Sequence, residues 1–118
     1  MADKILIVDD NPNMSALLSE MLEVFDHESV IASDGLQALD QLKSQSFAMV
    51  ITDMRMPNMT GLELLQEIKT LHPKVKVVLI SGYTGGEIET QAEACQADGF
   101  LGKPLMMADI EKLLNDLL

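Results

Sequence analysis

The sequence predicts an α/β domain in which five parallel strands, in the order 2-1-3-4-5, are doubly wound by helices on both faces. Three observations predict it. Short, continuously apolar runs rich in β-branched residues recur along the chain, among them "ILIV", "FAMVIT" and "VKVVLI", and strands covered on both faces read this way. Stretches with helical spacing separate them, and strands alternating with helices imply right-handed crossovers and a parallel sheet. Of the two common doubly wound orders, a five-strand chain of 118 residues suits 2-1-3-4-5.

The first predicted strand is Ile5–Val8. Asn11 then offers an N-cap and Pro12 suits the first helical turn, where a missing N–H costs nothing. Met14, Leu17, Leu18, Met21, Leu22 and Phe25 follow at helical spacing. Glu28–Ala32 reads as a weaker second strand. Asp34 is a cap for "GLQALDQLKS", with Leu36, Leu39 and Leu42 assigned inward. Phe47–Thr52 is the third strand. "GLELLQEIKTL" carries Leu62, Leu65, Ile68 and Leu71 on one face and ends at His72 and Pro73. Val75–Ile80 is the fourth strand. "GEIETQAEACQ", with its thin apolar face, is the weakest helix; Gly99–Leu101 is a short fifth strand; and "DIEKLLNDLL" closes the chain as a fifth helix.

Composition narrows the function. The net charge of −11 argues against a surface for nucleic acid or anionic membrane, both of which need basic residues. An apolar fraction of 47% argues against disorder. Cys95 is the single cysteine, so no disulfide forms within the chain, which fits a reducing compartment. The N-terminal apolar run is four residues long, too short for a signal peptide or a span, so a cytoplasmic location is expected. The nine methionines read as core filler, with Met54, Met56 and Met59 near enough to the site described next to touch a partner. His27 and His72 read as loop or strand-edge residues.

The order 2-1-3-4-5 makes strands 1 and 3 neighbours at a switch point, and ligands bind there, outside the carboxyl ends of the strands. Strand 1 ends in Asp9 and Asp10, strand 3 in Asp53 and strand 4 in Ser81, while Lys103 and Pro104 follow strand 5. Like charges about 4 Å apart repel by roughly 4 kcal/mol at an effective dielectric of 20, so three gathered acids need a cation. Oxygen ligands select a hard one, with Mg²⁺ the leading choice because it keeps waters that a phosphate can replace. A lysine and a hydroxyl complete a phosphate site, and a carboxylate can be the nucleophile of phosphoryl transfer. Asp53, alone at the end of the central strand, is the candidate nucleophile; Asp9 and Asp10, paired, suit the metal.

"ILIVDD", "VITDMRMPNMTGLELL", "LISG" and "GKP" together resemble the receiver domain of two-component response regulators, a flavodoxin-like fold, and the resemblance covers essentially the whole chain. It implies a signalling phosphoacceptor rather than an enzyme, one that assists its own phosphorylation and dephosphorylation. Asp53 would accept a phosphoryl group from the phosphohistidine of a histidine kinase or histidine phosphotransfer protein. Mg²⁺ would be held by Asp10 directly, by Asp9 mostly through water, by Asp53, and by the backbone carbonyl of Arg55. Lys103 would pair with Asp53 or its phosphate, Ser81 would bond the phosphate, and Phe100 matches the switch aromatic. Pro104 matches a position that often carries a cis bond. Arg55 and Tyr83 match the positions that tune phosphoryl lifetime, and their bulk suggests shielding.

The resemblance also implies a readout surface made by the fourth predicted helix, the fifth strand and the last helix, which would control a downstream protein or a missing output domain, with homodimerisation on phosphorylation as a further expectation. No direct nucleic-acid or membrane contact is expected. Residues 1–118 are expected to form one receiver domain without an output domain. The alternative is a receiver fold used unphosphorylated for docking or dimerisation. A haloacid-dehalogenase-type phosphohydrolase fits less well, because Arg55 stands where its second aspartate belongs. A flavin-binding protein of this fold also fits less well, because this chain has no phosphate-binding Ser/Thr/Gly loop after strand 1, where Asp9 and Asp10 would repel the ligand.

Overall fold

A computed structural model of the chain describes residues 4–54, 56, 58–81, 97–103 and 105–118, with residue 81 described by its backbone alone. Its sheet has five parallel strands: β1 (Lys4–Val8), β2 (Glu28–Ala32), β3 (Met49–Asp53), β4 (Lys76–Ser81) and β5 (Gly99–Gly102), in the order β2-β1-β3-β4-β5. Four helices are described: α1 (Pro12–Val24), α2 (Gly35–Ser44), α3 (Gly61–Leu71) and α4 (Met107–Leu117). The helix expected at 86–96 lies outside the described residues.

Alternate residues of β1, β3 and β4 feed two cores. Leu6, Val8, Val50, Val77 and Leu79 face α2 and α3 with Leu42, Leu64, Leu65 and Ile68. Ile5, Ile7, Met49, Ile51, Val78 and Ile80 face α1 and α4 with Leu18, Leu22, Ile110 and Leu114. Most of these side chains are fully buried, each contributing roughly 1.5–3 kcal/mol by area. Such double burial is why the strands read as apolar runs rather than as alternating patterns.

The helix starts follow the expected caps. The Asn11 side chain accepts from the N–H groups of Asn13 and Met14, with Pro12 at the first position of α1. Asp34 Oδ1 accepts from Gln37 N at 2.8 Å to start α2. Thr60 and Glu63 form a reciprocal capping box at the start of α3. α4 begins at Met107, two residues before the expected Asp109, which instead occupies the first turn, where a carboxylate is favoured by the helix dipole.

The inward faces depart from expectation in one consistent way. Leu17, Leu36 and Leu71, assigned to the core, are about half exposed, while Ser15, Gly35, Ala38, Gly61 and Leu64 are buried. Apolar residues pointed to the right side of each helix, but its buried row opens on a small residue, Ser15, Gly35 or Gly61, ahead of large ones such as Leu18, Leu42 and Leu65. Gly35, for example, leaves only 2.7 Å between a Cβ built there and Met59 Sδ. Strand limits shift as well: β3 runs Met49–Asp53 rather than 47–52, so the acid is the last strand residue, paired with Ile80. Met106 and Met107 are exposed and are not core filler; Met54, Met56 and Met59 are partly buried against the α2/α3 core.

Candidate functional site

The register brings the acids together. β1 pairs with β3 so that Val8 lies beside Thr52, and the next residues on the two strands are Asp9 and Asp53. Asp9, Asp10 and Asp53 each offer a carboxylate oxygen within 4.8 Å of the other two. Lys103 enters from beyond β5, its Nζ 3.6 Å from Asp53 Oδ2, close enough for charge attraction but long for a hydrogen bond.

The three acids differ in setting. Asp10 is exposed and Asp53 partly buried, whereas Asp9 is only 3% exposed. Asn11 N–H donates to Asp9 Oδ1 at 2.9 Å, and Asp9 Oδ2 is buried with no hydrogen-bond partner among the described residues. Burial pushes the Asp9 carboxyl above its ordinary value; the Asn11 N–H pulls it back, the Asp53 charge raises it again, and Lys103 and Asp10 act as smaller opposing influences. A buried, unpaired carboxylate oxygen is costly. A divalent cation among three carboxylates would remove both that cost and the repulsion, and an all-oxygen donor set fits a hard ion such as Mg²⁺.

The end of β3 is held by contacts that the sequence analysis did not use. Gly61 N–H donates to Met54 O at 3.0 Å, and a Cβ on Gly61 would press against the Asp53 carbonyl oxygen and lie 2.9 Å from Met54 Cα. α3 therefore starts directly on the backbone of the candidate nucleophile. A glycine at the first position of a helix, where many better helix formers would serve, was the available signal. Thr52, a hydroxyl closing an aliphatic strand, is fully buried and donates to Asp53 O at 3.0 Å.

The other expected residues are placed as follows. Ser81 ends β4 opposite Gly102, next to Lys103 in sequence; its side chain lies outside the described residues. Phe100 is partly buried in β5 and packs against the α2/α3 core. Arg55, Tyr83 and Pro104 lie outside the described residues. No helix among the described residues is long and apolar enough to cross a membrane.

The fold and site define a doubly wound α/β domain with an acidic pocket at its switch point and a lysine facing the central acid. The response regulator receiver domain model matches residues 5–115, and the chain belongs to that family. It is 35% identical over 114 residues to the transcriptional regulatory protein ZraR of Escherichia coli K12, covering 93% of this chain and 26% of that protein, so the chain spans about a quarter of that relative's length. It is 34% identical over 94 residues to the sporulation initiation phosphotransferase F of Bacillus subtilis, covering 80% of this chain and 74% of the relative. The chemotaxis protein CheY4 of Vibrio cholerae superposes with a TM-score of 0.94 at 28% identity, both chains covered completely. Receiver domains generally bind Mg²⁺, and as a family they interact with histidine kinases and output domains.

Proposed function

We propose that this chain is a phosphoacceptor in two-component signal transduction, taking a phosphoryl group from phosphohistidine onto Asp53 and using it to control a partner or output domain. One observation carries the reading: three carboxylates whose oxygens lie within 4.8 Å of one another, one of them buried with an unpartnered oxygen, beside a lysine 3.6 Å from Asp53.

In the transfer, an Asp53 oxygen bonds to phosphorus as the P–N bond to the donor imidazole breaks. The imidazole nitrogen leaves and takes up a proton. Lys103 holds the Asp53 carboxylate before transfer and neutralises the phosphoryl oxygens after it. Asp9, Asp10, Asp53 and the Arg55 carbonyl would hold Mg²⁺, which when bound supplies neutralisation of charge on the transferring group. Asp53 is kept from wandering by the backbone contacts at the end of β3. Ser81 bonds the new phosphoryl group, Phe100 fills the space Ser81 leaves, and Arg55 and Tyr83 shield the acyl phosphate from water. The altered population is read out on the surface shared by the helix expected at 86–96, β5 and α4, with homodimerisation as one form of output, in the cytoplasm.

The test is intact mass after incubation with acetyl phosphate and Mg²⁺. One added phosphoryl group, base-labile and absent in Asp53→Asn, is expected. An unlabelled wild type that also fails with a phosphohistidine donor would leave a docking module on a receiver fold.

A further inference from the structure

Thr52 is the one polar side chain of the buried strand β3 before its terminal acid, and it is 0% exposed. Valine has the same shape and the same preference for a strand, and a buried hydroxyl is unfavourable unless it is bonded. The hydroxyl has a single proton and two acceptors in reach, Asp53 O at 3.0 Å and Met56 Sδ at 3.7 Å. The carbonyl oxygen is the nearer and the better acceptor.

The peptide that follows Asp53 is then held on three sides. Its N–H, that of Met54, donates to Ile80 O at 3.1 Å. Its carbonyl accepts from Thr52. The start of α3 closes over it at Gly61, with no room for a Cβ. Two of these contacts are made by backbone; the Thr52 hydroxyl is the only side-chain group among the three. The Asp53 carboxylate springs from the Cα that this peptide fixes, and it must meet Asp9, Asp10 and Lys103 within a few ångströms.

We infer that the Thr52 hydroxyl is a positioning group for Asp53, anchoring the Asp53 carbonyl so that the carboxylate stands in line for phosphoryl transfer. The inference rests on the phosphoacceptor reading given above. Thr52 touches no reacting atom and acts through Asp53. Misplacing a reacting group by about 1 Å can slow a reaction by as much as about 100-fold, so a loosened Asp53 has a measurable consequence.

Thr52→Val and Thr52→Ser separate positioning from packing. Valine keeps the shape and removes the hydroxyl; serine keeps the hydroxyl and removes the methyl. The rate of phosphoryl incorporation from acetyl phosphate, the Mg²⁺ affinity by calorimetry and the Tm in EDTA are measured for each full chain. Thr52→Val is expected to label about tenfold more slowly than wild type, and Thr52→Ser to label near the wild-type rate, although each melts a few degrees lower, the first for the lost hydrogen bond and the second for the lost methyl. A Thr52→Val protein that labels as fast as wild type would overturn the inference, as would two variants slowed in proportion to lost stability. If wild type itself takes up no phosphoryl group, the phosphoacceptor reading fails, and the anchor is judged on Mg²⁺ binding. Weaker binding by Thr52→Val than by Thr52→Ser would uphold it, and equal binding would overturn it.

Discussion

Replacing Asp9 by Asn isolates the electrostatic tension in the pocket. The amide keeps an oxygen to accept from Asn11 N–H and removes the charge whose second oxygen has no partner. Unit charges 4.8 Å apart interact by about 3.5 kcal/mol at an effective dielectric of 20. Asp10 is exposed and screened, and the attraction of Asp9 to Lys103 opposes the repulsion by Asp53. A net gain of about 1–2 kcal/mol for Asp9→Asn without metal is therefore expected. A chain of 118 residues unfolds with an entropy near 0.25 kcal/mol/K, so Tm should rise by about 4–8 °C.

The pH dependence has a definite sign. The folded Asp9 carboxyl titrates above its unfolded value, so the folded state binds the proton more tightly, and wild-type stability falls as pH rises through that window. The gain from Asp9→Asn should thus be small below about pH 4 and complete once folded Asp9 is ionised. Mg²⁺ at about ten times its Kd should stabilise wild type by about 1.4 kcal/mol and shrink or reverse the difference. Thermal melts in EDTA and in Mg²⁺ across pH 3–8 read all of this. A variant no more stable than wild type at pH 7 in EDTA, or a gain independent of pH, would refute the reasoning.

Three further substitutions have directions set by local contacts. Gly61→Ala forces a Cβ into the backbone of Asp53 and Met54, so a loss of about 2 kcal/mol or more is expected in urea melts, together with slower labelling of Asp53. Lys69→Met strips Asp98 Oδ2 of a partner at 2.6 Å and leaves it, among the described residues, the Val77 N–H alone, which should cost about 1–2 kcal/mol by the same melts. Asp26 sits at φ 63° just past the end of α1, where Asp26 N–H reaches Glu23 O and His27 N–H reaches Leu22 O; glycine is the residue suited to that turn, and Asp26→Gly should raise Tm by about 2 °C, with no rise counting against the strain.

The topology was legible because it depends on strand pattern: the doubly buried runs of β1, β3 and β4 stand out, and the weaker β2 and β5 are spaced to complete the alternation with helices. The acid cluster was legible for the same reason: once β1 and β3 are neighbours, Asp9 and Asp53 must meet. Helix faces were less so. A periodic pattern of leucines marks a side, but Leu17, Leu36 and Leu71 sit at its edge, while Ser15, Gly35 and Gly61, which open the buried rows, are chosen for small size, a property of the packing and not of hydropathy. The supports of Asp53 were hidden in the same way. Thr52 looks like a strand former and Gly61 like a helix start until β3 and α3 are placed against each other.

The central claim is that Asp53 accepts a phosphoryl group within this pocket. Its most direct measurement is transfer from a ³²P-labelled phosphohistidine on a phosphotransfer protein, in Mg²⁺ and in EDTA, with Asp53→Asn alongside. The account predicts label on the wild type in Mg²⁺, little in EDTA, none on Asp53→Asn, and recovery of a base-labile acyl phosphate in the peptide that contains Asp53. Label retained by Asp53→Asn, or transfer indifferent to Mg²⁺, would contradict it.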